Sequence, residues 1–405
     1  MKREMPAPKF KKSLLMFSVF LITAVLTAPI GNVAEAADVI KTVVFANWVS
    51  VEEATQSRIV EIIKAFESAN PDIRIEIQGI PVSDIVKEIT IRSTAGDPPD
   101  IAQIPSDNVL QLQSAGLLSP LDDLLGEDFQ RNIYKDLYDA TGLVDGVHYA
   151  VPWANSTHGL FYNRKLLAQA GLDPARPPKT IGELADILKI ARERLTEDVI
   201  LIQADTTVRT LGLLHQWPFL LAFNGGVEPY NLKGEVNFNT DGIKKYMEWL
   251  RLLIKEKYTL PGLKYGEFRP YAAQDKLLFG NDWTCFDGIL RSLNKDITPD
   301  YLYETWGATA LPADANGKHR TPVQAHTLVL FKNSGVNKEA AKFLEFLVSD
   351  KIAIEQYIAA NGFTPVTLDA FEKAPSLSKS AFIKSFISDV VPTSVTLPTG
   401  PDYAS

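Results

Sequence analysis

Strand-like and helix-like segments alternate along residues 41–105, and that alternation predicts an α/β fold built on a parallel sheet. A second run of the same character begins near residue 159, and neither an internal repeat nor a low-complexity linker separates the two. "KTVVFANW" is the first strand. Ser50 is expected to open a helix, with Glu53 completing a capping box. Ile59, Ile62, Ile63 and Phe66 recur at helical spacing, and Asn70-Pro71 ends the helix. Ile73, Ile75 and Ile77 alternate with polar residues, which is the period of a strand. "SDIVKEITIRSTAG" reads as a helix ending at Gly96, and "DIAQI" as the third strand. In such sheets ligands gather at loops leaving the carboxyl ends of the strands. Trp48, Glu52, Gln103, Ser106 and Asp107 fall on those loops; a core role for Trp48 and a helix-cap role for Asp107 are the competing readings.

In the second unit "GLFYN" reads as a strand and "RKLLAQAG" as a helix stopped by Gly171. Thr180 and Glu183 form a capping box before "LADILKIARERL". "GIKKYMEWLRLLIKEK" puts Ile243, Tyr246, Met247, Leu250, Leu253 and Ile254 on one face, leaving Trp249 as core or flank. "NKEAAKFLEFLVSD" does the same with Ala340, Phe343, Leu344 and Leu347.

The N-terminus has its own pattern. Lys2, Arg3, Lys9, Lys11 and Lys12 precede the apolar run "LLMFSVFLITAVLTA" and the Ala34-Glu35-Ala36 triplet, the order of a secretory signal cleaved between Ala36 and Ala37. The run is shorter than the roughly 20 residues of a spanning helix. Without residues 1–36, which carry five Lys/Arg and two Asp/Glu, the formal charge moves from −8 to −11. An acidic chain with no basic run past the signal is a poor ligand for nucleic acid. The single cysteine, Cys285, excludes an internal disulfide and offers no thiol for lipid attachment beside the cleavage site, so an exported, periplasmic protein is expected.

Enzyme signatures are missing: there is no G-x-S-x-G elbow, P-loop, H-E-x-x-H or C-x-x-C. None of His148, His158, His215, His319 and His326 pairs with another at i,i+4, and no metal or cofactor is expected. Ser156 and His158 lie close in "VPWANSTHGLFYNRKLL", but a triad is defined by space rather than adjacency. The 47 acids beyond residue 36 leave a carboxylate pair for glycoside hydrolysis open. Trp48, Trp153, Trp217 and Trp283 sit beside amides, acids or proline, the mixture of flat rings and hydrogen-bonding groups that a neutral polar ligand requires, although a quaternary amine would use the same rings.

Several segments in order resemble the extracellular solute-binding proteins of ABC-type sugar importers, the maltose-binding-protein-like group. They are "FANW" with "ANPDIRIEI", "STAGDPPDIAQI" with "LQSAGLLSPLDDL", "VPWANSTHGLFYNRKLLAQAGL", "WPFLLAFNGG", "LLFGNDW" and "TLVLFKNSGVNKEAAKFLEFLVSD". The resemblance implies a two-lobed periplasmic-binding-protein fold, type II-like, with hinge crossings. The lobes are expected at 37–152 plus 323–352 and at 153–322 plus 353–405. It also implies a non-catalytic, monomeric receptor that passes a small carbohydrate to ABC permease subunits. By position, the ligand contacts would be Trp48, Glu52, Gln103 and Asp107 in the first lobe and Trp153, Asn155, Ser156 and Thr157 at the crossover. His215, Gln216, Trp217 and Trp283 would come from the second lobe, with His158 structural. "QAH" stands where the family often has a Gly pair, which would bring Gln324 and His326 towards the ligand. Ile104 replaces an aromatic shelf found in some oligosaccharide binders, pointing to a smaller or different ligand. Family members usually continue past "VVPTSVTLPTGPDYAS", so a missing piece of the second lobe or a shortened gene is expected. A receptor for a charged solute and a secreted carbohydrate-active enzyme are the alternatives.

Overall fold

A computed structural model describes residues 40–53, 55–155, 157–207, 210–229 and 236–395. The signal-peptide reading of residues 1–36 and the position of Ser156 lie outside them. Among the described residues no helix is long and apolar enough to cross a membrane.

The strands of the two main sheets are β1 (Lys41–Asn47), β2 (Ile73–Gly79), β3 (Ile101–Pro105), β4 (Val151–Asn155), β5 (Gly159–Asn163), β6 (Ile200–Ile202), β7 (Leu277–Asp282), β8 (Trp306–Thr309) and β9 (Ala325–Leu330). The helices include α1 (Gln56–Ala69), α2 (Ile85–Thr94), α3 (Arg164–Gln169), α4 (Ile181–Arg194), α5 (Thr210–Phe223), α6 (Asp241–Lys255) and α7 (Asn337–Ser349). Two sheets form two lobes. The first has the order β2-β1-β3-β9-β4 and the second β8-β5-β7-β6.

The first sheet is mixed rather than parallel throughout. β1 pairs with β2 and β3 in parallel, as the alternation predicts, but β9 runs antiparallel to both β3 and β4. The reason is connectivity: β9 re-enters the first lobe after the chain has built the second, so it fills the sheet from the opposite direction. Its pairing with β4 shifts register between His326 and Thr327. A bulge of this kind re-aims a side chain, here beside Pro152, which has no N–H to give to the ladder.

Helix α1 begins at Gln56, not at Ser50. The Ser50 N–H is taken by the Asn47 side chain and the Thr55 hydroxyl donates to Val49 O, so residues 48–53 fold as a turn on the end of β1. The expected apolar face is otherwise in place. Ile59, Ile62 and Phe66 pack with Val43, Phe45 and Leu328 and against Phe343, Leu344 and Leu347 of α7. Thr180 caps α4, its hydroxyl accepting from Glu183 N while Glu183 accepts from Lys179 N. On α6, Ile243, Tyr246 and Leu253 are buried and Trp249 joins them against Phe219, whereas Met247 and Ile254 face outwards.

Alternation on β5 sends Leu160 and Tyr162 to one second-lobe core and Phe161 to the other. Gly159 starts that strand beneath the Phe386 ring, where a Cβ would come within 2.5 Å of an aromatic carbon. The lobe boundaries differ from the expected ones at two places. Trp153, Ala154 and Asn155 belong to the first sheet, and Ile354, Tyr357, Ile358 and Val366 pack in the first-lobe core. Residues 382–391 straddle both lobes: Ile383 and Val391 join the first core, Phe382, Phe386 and Val390 the second.

Candidate ligand-binding cleft

Strand ends β1, β3 and β9 from one lobe and β7 from the other converge on a cavity of about 300 Å³. Trp48, Pro105, Ala325 and His326 line the first-lobe side, and Trp283, Thr284 and Cys285 the second-lobe side. Val82, Gln324 and Phe363 complete it. The wall is therefore mostly flat and apolar, with a few uncharged polar groups set into it.

Trp283 is half-buried and rigidly backed. Its backbone N–H donates to Asp282 Oδ1 (2.8 Å), and the same carboxylate accepts Arg269 Nε and Nη2 at 2.8 and 2.7 Å. His158 stacks on the indole at 4.6 Å between ring centroids, and Tyr265 meets it edge-on at 5.0 Å. Burial, reinforced by the charge of Arg269, lowers His158 to about 3, so its ring is neutral packing. The Trp283 indole N–H has no hydrogen-bond partner among the described residues. Burial, with Asp282 adding, raises the neighbouring Cys285 thiol to about 11, which keeps it protonated and unreactive.

Trp48 is held differently. Its backbone N–H donates to Gln103 Oε1 at 3.3 Å and its ring meets His326 edge-on at 5.0 Å. Gln103 Nε2 lies 3.1 Å from the Tyr357 hydroxyl, which lies 2.8 Å from His326 Nδ1. Burial lowers His326 to about 4.

Of the residues expected to contact ligand, Trp48, Trp283 and His326 meet at the cavity, with Gln324 beside them. Gln103 is wholly buried and acts through Trp48 and Tyr357. Glu52 lies on the exposed turn after β1, close enough to Tyr357 for its charge to hold that hydroxyl's proton more tightly. Asp107 follows Pro105, and burial raises its carboxyl as it does that of Glu52.

Others are placed away from the cavity. Trp153 is fully buried between Phe45 and Tyr357, and its indole N–H donates to Leu347 O at 2.9 Å, so neither ring face is open to a ligand. Trp217 packs in the second-lobe core, Gln216 accepts from the Tyr246 hydroxyl, and His215 stacks on Tyr265. Asn155 and Thr157 are buried and bonded to each other, the Asn155 amide nitrogen having no partner among the described residues. Ile104 points into the first-lobe core rather than at the cleft. Arg269, Asp282, Phe363 and Tyr357 were not among the expected residues. The Asp-Trp pair in "GNDW" signals the second of these, whereas Tyr357 sits in a π-turn (Ile354–Ala359) that helical periodicity does not reveal.

The profile of the bacterial extracellular solute-binding protein family matches residues 50–354. A binding protein of Brucella abortus is 24% identical over 309 residues, 76% of this chain and 72% of the relative. The sn-glycerol-3-phosphate-binding periplasmic protein UgpB of Yersinia pseudotuberculosis is 25% identical over 357 residues, 80% of this chain and 74% of the relative. Among solved structures, the cyclic alpha-maltosyl-1,6-maltose binding protein from Arthrobacter globiformis aligns with a TM-score of 0.72 at 20% identity, covering 89% of this chain and 90% of that one. The sugar-binding protein MalE from Xanthomonas citri aligns equally well, TM-score 0.72 at 20% identity, covering 90% and 88%. The two-lobed type II architecture is shared with these solved structures. The chain belongs to the bacterial extracellular solute-binding proteins and is a non-catalytic extracytoplasmic receptor.

Proposed function

We propose that the protein binds a sugar or small oligosaccharide between Trp48 and Trp283 and delivers it to the permease of an ABC importer. The observation that carries this reading is the cavity itself: two tryptophans from opposite lobes, about 300 Å³, and polar groups that are uncharged. Pyranose faces are apolar and stack on indole, while hydroxyls take Gln324, Thr284 and His326. Contact with both lobes makes ligand favour the closed form, which is all that hinge closure requires. Periplasmic residence after cleavage behind Ala36 belongs to the same proposal.

A phosphorylated ligand such as the one named for the Yersinia relative calls for an unpaired cation. Among the described residues lining the cavity there is none, and Arg269 behind it is committed to Asp282. The testing experiment is a thermal-shift screen of residues 37–405 against mono- and oligosaccharides, sn-glycerol 3-phosphate, spermidine and divalent metals, with product analysis. A rise in Tm with one sugar, recovered intact, supports the reading by mass action. A rise only with the phosphate ester or the amine overturns it, and a consumed sugar makes the protein an enzyme.

A further inference from the structure

We propose that Trp48, Gln103 and Tyr357 form a hydrogen-bond relay that holds His326 as the neutral tautomer protonated on Nε2, making it a specificity-determining donor in the cleft. The inference rests on the cavity being the ligand site. Its steps follow from what each group can do. A backbone N–H only donates, so the atom of Gln103 facing Trp48 N is the amide oxygen. The other end of the amide is then NH₂, which donates to the Tyr357 oxygen at 3.1 Å. Tyr357 is buried, and its remaining hydrogen-bond partner among the described residues is His326 Nδ1 at 2.8 Å, so the hydroxyl proton points there. Nδ1 accepts, and the imidazole's one proton resides on Nε2.

Were Nδ1 protonated, it and Gln103 would both donate to Tyr357 and leave the buried hydroxyl proton without an acceptor, a costly arrangement. Two departures from regular structure bring the relay together. The π-turn at Ile354–Ala359 carries Tyr357, and the bulge between β9 and β4 lies at His326. Depression of His326 by burial agrees with a neutral ring.

A neutral Nε2–H has no lone pair for an ammonium and no charge for a phosphate. It matches an acceptor oxygen, as in a hydroxyl, ring ether or carbonyl. The relay thus selects uncharged oxygen-rich ligands from the first-lobe side, opposite the Trp283 ring.

The test needs no ligand, so it can fail while the cleft reading survives, and the reverse. Two-bond ¹H–¹⁵N correlation spectra of ¹⁵N-histidine-labelled, unliganded protein at neutral pH identify each ring's tautomer, with His326→Gln assigning the signal. The expected wild-type pattern is Nε2–H, in about tenfold excess for one hydrogen bond. Tyr357→Phe should cut that excess about tenfold, towards the ratio of an imidazole without the Tyr357 hydrogen bond. Should that variant not fold, Gln103→Leu frees the Tyr357 oxygen to accept and should have the same effect. An Nδ1–H or doubly protonated wild-type ring overturns the proposal, as does an unchanged Nε2–H excess in the variants.

Discussion

The two tryptophans that line the cleft from opposite lobes are held by opposite kinds of chemistry. Trp283 rests on a charged scaffold: the bidentate Arg269–Asp282 pair fixes its backbone, and neutral His158 and Tyr265 pack its ring. Trp48 rests on an uncharged chain running through Gln103, Tyr357 and His326. The charged scaffold lies behind the indole, where it sets geometry without meeting the cavity. The neutral chain ends at the cavity, where its last member forms part of the wall. Each lobe thus presents an uncharged face, by different means.

The comparison can be broken in order of expected effect. Asp282→Ala leaves the Arg269 guanidinium, only 15% exposed, without its partner and should cost about 3–5 kcal/mol, read by urea denaturation. A loss below 1 kcal/mol would mean that the pair is not what holds Trp283. Trp153→Ala should cost about as much through the cavity it opens in the first-lobe core. Trp283→Ala, in contrast, should leave stability within about 1 kcal/mol of wild type but weaken sugar binding by about 2 kcal/mol, roughly thirtyfold.

Acid should separate the scaffolds from the rest of the fold. His158 titrates near 3 in the folded state and near 6.5 when unfolded, so the unfolded chain binds the extra proton between those values. Stability is full above pH 6.5 and lost as the pH falls, by about 2 kcal/mol for this ring between pH 6.5 and 5. His326 adds a loss of the same sign on the way down towards its folded value near 4. Denaturation at both pH values checks this, and His158→Gln should flatten the dependence; a wild type equally stable at pH 5 speaks against buried neutral rings. The smallest effect is a control: Thr180→Ala removes a cap far from the cleft and should cost about 1 kcal/mol without altering affinity.

Much of the fold was readable because burial periodicity is a local signal. Ile59, Ile62 and Phe66 announce α1, and the alternation of Ile73, Ile75 and Ile77 announces β2. The return of β9 to the first lobe was legible only through the family resemblance, and its antiparallel direction not at all, since that depends on the path across the hinge. The site was half readable. Trp48, Trp283 and His326 sit at strand ends, where topology sends ligands. Trp153 misled because β4 has both faces covered, so proximity to Asn155 does not say which face is the cleft. Residues 50–53 satisfy a capping pattern that Asn47 and Thr55 override through bonds to the turn. Tyr357 escaped because its π-turn breaks the helical period, and its role arises from Gln103 and His326, remote in sequence.

The central claim is that one sugar binds between the two tryptophans. It is tested most directly by calorimetric titration of wild type and Trp283→Ala with the sugar giving the largest thermal shift. The account predicts saturable one-to-one binding to the wild type and roughly thirtyfold weaker binding to the variant. Equal affinity in a folded variant would place the ligand elsewhere and contradict it.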